Sequence, residues 1–223
     1  MALVPISQIT PLFNSVNLIS YWKMDGNSND SKGSNNGTDT SISYSAGKFT
    51  DSAQFNASGD QISCGTSNTL NLTTFAFSGW VYPTTPAVDF SRILDRHTGT
   101  SAGYRIMMRS TSRNIIVGSG TEVESSASLA LDSWQNLIIN CNAGSITIYI
   151  NGVLANTISI TMAGSSGLAF LMGSDGTGTD REWRGGFDDF AMFDRVLTAE
   201  EIGWISTDYS AVEVLPSNLF LMF

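Results

Sequence analysis

Apolar and polar side chains alternate over short runs along most of this chain, and Gly, Asn, Asp and Ser punctuate the runs. That is the period-two pattern of half-buried strands, because successive side chains of a strand point to opposite faces. It predicts strands near residues 18–24, 53–55, 61–64, 75–82, 92–95, 104–109, 114–117, 134–141, 145–150, 168–172 and 187–193. The sharpest local signal is Ile146-Thr147-Ile148-Tyr149-Ile150-Asn151-Gly152-Val153-Leu154-Ala155, where β-branched and aromatic residues flank an Asn-Gly pair. Asn-Gly supplies the two positive-φ positions of a type I′ hairpin. A polar loop over 25–40 and a Gly/Asp loop over 173–186 separate strands. Thr198 followed three residues on by Glu201 is a capping-box signature, which predicts one short helix after the last core strand.

The ends break the pattern. Residues 1–17 read as an arm in which Pro5 and Pro11 interrupt short apolar runs, and the tail over 212–223 is apolar and ends on Phe223. The expected organisation is an arm at 1–17, one sandwich domain at 18–206 and an apolar tail at 207–223. Apolar side chains such as Leu3, Ile6, Leu219 and Phe220 would be sticky in water, so the two ends are expected to order against neighbouring subunits or a sheet edge of their own.

Composition narrows the class. With 223 residues, 42% of them hydrophobic and 12 Phe, 6 Tyr and 5 Trp, the chain can fill one large all-β core without disulfide staples. Cys64 and Cys141 are accordingly expected to be buried free thiols. A net charge of −9 argues against nucleic acid as a partner, since a phosphate-binding surface needs clustered Lys and Arg. The N-terminus has no basic region followed by an apolar core of the secretory-signal kind, and no run reaches the roughly 18–20 apolar residues that span a bilayer. Membrane insertion is not expected.

Tyr21-Trp22-Lys23-Met24-Asp25-Gly26-Asn27 and the polar residues to Gly33 resemble the opening strand and loop of laminin-G-like jelly rolls. Gly186-Phe187-Asp188-Asp189-Phe190-Ala191-Met192-Phe193, with Glu200-Glu201-Ile202 after it, resembles that family's closing strand and short helix. The Asn151-Gly152 hairpin and Trp134 before it are also similar to the pattern. The resemblance spans roughly 18–205 and implies an all-β fold: a two-sheet antiparallel jelly-roll sandwich of the concanavalin A-like lectin and glucanase kind. It also implies a domain that meets glycans, proteins or cell surfaces through one face or its rim loops. An extracellular or particle-surface location goes with that.

Several relatives hold a structural calcium between the first loop and the closing strand, and the matching positions are Asp25, Asn27, Asp30, the region of Gly47 and Asp188. Calcium takes six to eight hard oxygens, which such loops offer; the same residues also make Asx turns. A second candidate, for a ligand at the rim, is Asp175 and Asp180 with Arg181, Trp183 and Arg184, whose alternatives are a solvated glycine loop and a core tryptophan. The family's glycanases carry Glu-x-Asp-x-x-Glu on one strand. Here the nearest stretch, Glu122-Val123-Glu124-Ser125-Ser126-Ala127, has Glu in the middle and Ala127 at the end, so the third carboxylate is missing. His97 is the only histidine, which removes most triad and zinc designs, and beside Asp95 and Arg96 it is expected in a strand-end loop. Trp22, Trp80, Tyr82, Trp134 and Tyr149 are expected in the core. The sequence therefore points to a non-catalytic module that binds glycan or another surface polymer. The alternative is a structural virion protein, a decoration, fibre or coat subunit assembled through its termini.

Overall fold

Two antiparallel sheets stack face to face in a computed structural model that describes residues 12–84, 89–98, 102–142, 144–177 and 181–207. Strands are numbered in chain order. The larger sheet has eight: β1 (Leu18–Trp22), β3 (Ser43–Ala46), β4 (Asp51–Phe55), β6 (Phe75–Pro83), β11 (Gln135–Asn142), β12 (Ser145–Ile150), β13 (Val153–Ser159) and β15 (Gly185–Phe193). They lie in the order β13-β12-β11-β6-β15-β4-β3, with β1 also paired to β15. The seven-stranded sheet runs β10 (Thr121–Ser128), β9 (Asn114–Ser119), β8 (Ala102–Met108), β7 (Ser91–Thr98), β14 (Leu171–Met172), β5 (Gln61–Ser63) and β2 (Thr38–Thr40). The two-sheet jelly-roll sandwich that the resemblance implies is the fold observed.

Alternation explains the core. Along β6, Phe75, Phe77 and Val81 face the other sheet and pack with Phe55, Phe187, Phe190, Ile93, Tyr104, Ile106 and Val117. Ala76, Ser78, Trp80 and Tyr82 occupy the alternate positions and face outward. Ala76 joins Ile138, Ala191 and Phe193 in a second apolar cluster, capped by Leu197, Ile202 and Ile205 of the helix segment α1 (Ala199–Ile205). Thr198 and Glu201 form the full capping box on α1, and Arg195 clamps Glu201 at 2.6 Å. Part of the larger sheet's outer face is covered in this way.

The Asn151-Gly152 turn has φ of 51° and 77°, as a type I′ hairpin demands. Cys64 and Cys141 are free and buried. Three strand expectations need correction. The first strand stops at Trp22 because Met24 adopts φ 63°, a left-handed conformation that ends pairing. β7 runs on to Thr98, so His97 lies within a strand and not in a loop. β2, β3 and β10 lie outside the predicted strands, β2 at the end of the polar loop expected over 25–40: all three are edge strands, exposed along much of their length, and their polar sequences carry little alternation.

In the arm, Leu12 is buried in the cluster under α1, and Phe13 packs against Tyr21 with centroids 4.7 Å apart and the rings inclined at 38°. Residues 1–11 and 208–223, on which the expected assembly contacts of the arm and tail rest, lie outside the described residues. Among the described residues no helix is long and apolar enough to cross a membrane.

Candidate functional site

The loop after β1 is organised by Asp30. Its Oδ1 accepts the backbone N–H groups of Tyr21, Lys32 and Gly33 at 2.9–3.0 Å, and its Oδ2 accepts that of Asn35 at 3.0 Å. The carboxylate is filled by backbone amides, which is the turn-making alternative and leaves little for a metal. Asn27 is likewise engaged: Oδ1 accepts the Asn29 amide and Nδ2 donates to the Asp25 carbonyl.

Asp25 and Asp188 behave differently. Asp188 is buried at a bulge in β15, and its Oδ2 accepts the amides of Lys48 (2.8 Å) and Phe49 (3.2 Å) at the tip of the β3–β4 hairpin. Gly47 is required there, because a Cβ would lie 2.6 Å from that same oxygen and 2.7 Å from the Asp51 carbonyl. Burial pushes the Asp188 carboxyl up to about 7; the Asp189 charge adds to the shift, the two amides oppose it, and Asp25 adds to it. Asp25 accepts the Thr50 hydroxyl. A buried carboxylate beside two other acids is what a hard dication would relieve. Asp30 is thus taken up by backbone amides, whereas the charges of Asp25 and Asp188 interact, and no group of three or more His, Cys, Asp or Glu side chains converges among the described residues.

The second acidic loop is a structural network. Asp175 lies 3.5 Å from both Arg92 and Arg181, and Arg92 pairs with Asp95 at 2.8 Å. Burial lifts the Asp95 carboxyl to about 6 while Arg92 holds it down. Arg184 donates to the carbonyls of Ala57 and Trp183. Trp183 is completely buried against Phe187, so it is a core residue and not a sugar platform. Beside it Glu182 is buried, and neither carboxylate oxygen has a hydrogen-bond partner among the described residues. Asp180 lies outside the described residues.

Glu122 and Glu124 share one face of β10, and both are tied to arginines. Glu122 pairs with Arg105 at 2.7 Å; Glu124 pairs with Arg109 at 3.0 Å and also accepts from Ser112 and Asn114. Those hydrogen bonds outweigh partial desolvation and hold Glu124 below the usual carboxylate range, the reverse of what a general acid needs. Ala127 is buried. Arg105 lies 3.1 Å from Nδ1 of His97, and partial burial, then Arg105 and Arg92, lower the imidazole's proton affinity.

One depression on the described surface lies where sequence placed core. Ser45, Ala46, Gln54, Tyr82, Trp134 and Gly186 line a pocket of about 270 Å³ on the larger sheet. Gln54, Gly186 and Tyr82 are register neighbours across β4, β15 and β6. Trp134 sits at the entrance to β11, positioned by the turn before it. There the Asp132 amide bonds the Pro83 carbonyl at 2.8 Å, and the Gln135 side chain bonds both the N–H and C=O of Ala130. Gly186 gives Trp134 its space: a Cβ there would come within 2.7 Å of the indole Cη2. The Tyr82 and Trp134 rings, 5.4 Å apart and inclined at 58°, form one wall. Both are only partly buried, as is Gln54, whose Nε2 donates to Ser52 Oγ and whose amide is thereby fixed. Trp22 and Trp80 are buried as expected; Tyr82 and Trp134 are not core, and Tyr149 packs at the edge of the cluster under α1.

Two stacked antiparallel sheets closed by a capped helix define a lectin-type β-sandwich. Residues 56–203, more than half of the chain, match the family described as the concanavalin A-like lectin/glucanases superfamily, and the chain belongs to it. No curated protein sequence gives a significant match. Among solved structures, domain 4 of AbnA, an extracellular GH43 arabinanase from Geobacillus stearothermophilus in complex with arabinotriose, superposes with TM-score 0.72 at 18% identity, over 86% of this chain and 98% of that one. The binding domain of Paraclostridial Mosquitocidal Protein 1 gives 0.68 at 17% identity, over 86% of this chain and 52% of that one. Trypanosoma rangeli sialidase in complex with the inhibitor DANA gives 0.66 at 14%, over 86% and 33%. These superpositions establish a shared fold.

Proposed function

We propose that the protein is a non-catalytic carbohydrate-binding module, presented outside the cell, that holds a sugar of a glycan or surface polymer in the Trp134–Tyr82 pocket. The observation that carries this reading is the pocket itself: an aromatic wall beside the fixed amide of Gln54 and the hydroxyl of Ser45. Aromatic faces pack against the apolar C–H face of a sugar ring, while hydroxyl and amide groups take its hydroxyls. The arabinotriose bound by the AbnA domain lends support from a relative of the same fold. Trp134→Ala should weaken retention on an immobilised polysaccharide about tenfold or more, roughly 1.4 kcal/mol, without shifting the melting temperature much, since the indole is at the surface. Equal retention by the variant would overturn the assignment.

The ion-paired state of Glu122 and Glu124 supports a non-catalytic reading. Incubation with soluble β-glucans should release no reducing ends, and release abolished by Glu122→Gln or Glu124→Gln would contradict it. Calcium fits the same proposal as a structural ion, held by Asp25 and Asp188 with backbone carbonyls and water. It would neutralise the buried charge and pin the hairpin that carries Ser45 and Gln54.

A further inference from the structure

We infer that the Trp134–Tyr82 pocket selects uncharged sugars and turns acidic ones away, so that the ligand is a neutral glycan; this rests on the carbohydrate assignment above. None of the six lining side chains carries a formal charge at neutral pH. The Ser45 hydroxyl and the Gln54 carboxamide each donate and accept, as sugar hydroxyls do, so a neutral ring can be satisfied in either sense. A carboxylate or sulfate only accepts. It leaves water readily only where cations or several donors converge on it.

The cations on neighbouring segments are committed elsewhere. Arg184, two residues before Gly186, places its guanidinium 2.6 Å from the Ala57 carbonyl and 3.2 Å from that of Trp183. Lys48, at the tip of the hairpin that carries Ser45 and Gln54, holds its ammonium 4.5 Å from the centroid of Trp80. The segments that carry the pocket's residues bring acidic side chains instead. Asp51 opens β4 and Asp132 precedes Trp134 by two residues, and both are exposed. With a net charge of −9 behind them, the field at the mouth opposes an approaching anion.

The full chain would be tested by affinity electrophoresis through neutral arabinan, xylan and β-glucan, and through acidic polygalacturonate and heparin, at about 0.15 M salt, where charges beyond roughly 8 Å are screened. The expected result is retardation by at least one neutral polymer, at least tenfold weaker with both acidic ones, and loss of retardation in Trp134→Ala. Ser45→Arg, a change at an exposed edge-strand position that the fold should tolerate, should narrow the neutral-to-acidic ratio. An acidic polymer that retards the protein as strongly as the neutral ones, through Trp134, would overturn the selectivity and leave the pocket a glycan site. A ratio unchanged in Ser45→Arg would also overturn it. Retardation by none of the five polymers, or retardation indifferent to Trp134→Ala, would overturn the pocket assignment and this inference together.

Discussion

Replacing Asp30 by alanine should destabilise the fold by about 3–5 kcal/mol, because one side chain satisfies four backbone amides and each unpaired buried amide costs on the order of 1–3 kcal/mol, partly recovered by water. The damage would spread. The Asn35 amide is one of the four, and the Asn35 carbonyl accepts the indole N–H of the fully buried Trp22 at 2.7 Å, while its side chain bonds Ser20 and Thr69. Asp30→Asn keeps an oxygen for the three amides at Oδ1 and loses only the acceptor at Oδ2, so it should cost about 1–2 kcal/mol. Urea unfolding of the three proteins checks this. Equal stabilities for the alanine variant and the parent would show that the loop is not held by Asp30.

The second large effect concerns Asp188, calcium and protons. In chelator, the folded carboxyl keeps its proton up to about pH 7, whereas an unfolded aspartate releases it near 3.9. Between those values the folded state binds the extra proton. Stability should therefore rise on acidification from pH 8 to 5, by roughly 2 kcal/mol, and fall again as pH rises through 7. Asp188→Asn keeps an acceptor for the Lys48 and Phe49 amides without the charge. It should melt a few degrees higher than the parent at pH 8 in chelator, at about 2–4 °C per kcal/mol for a domain of this size. Calcium at a hundredfold excess over its dissociation constant would add about 2.7 kcal/mol to the parent. It should add nothing to Asp188→Asn, and its benefit should shrink as protons compete below pH 7. Scanning calorimetry in chelator and in calcium reads both slopes. A calcium response that survives in Asp188→Asn would place the ion elsewhere.

Several elements were legible from sequence because local chemistry alone decides them. Asn-Gly demands the I′ hairpin, Thr198 and Glu201 cap α1, and the β6 alternation sends Phe75, Phe77 and Val81 inward. The pocket was half legible. The same alternation implies that Tyr82 faces away from Val81, but nothing in one strand says whether an outward face is covered, as at Ala76, or open, as at Tyr82. That depends on where α1 lands. The missed signal was Gly186, since a glycine facing outward from a strand marks a close approach, here by Trp134. Trp183 misled for the converse reason: its polar, Arg-flanked neighbours suggest a rim, whereas its indole turns into the core.

Five of the pocket's six residues stand on the adjacent hydrogen-bonded strands β3, β4, β15 and β6, and the sixth, Trp134, is fixed by a turn bonded at both ends. A site built on such a lattice has little shape left to acquire, so a ligand forfeits its own freedom but almost none of the protein's. Exchange should then be quick in both directions, with occupancy following the local concentration of sugar ends without a slow isomerisation phase. Strength of attachment to a polymer would come from how many copies of the site a surface engages at once, not from tightening around any one ring.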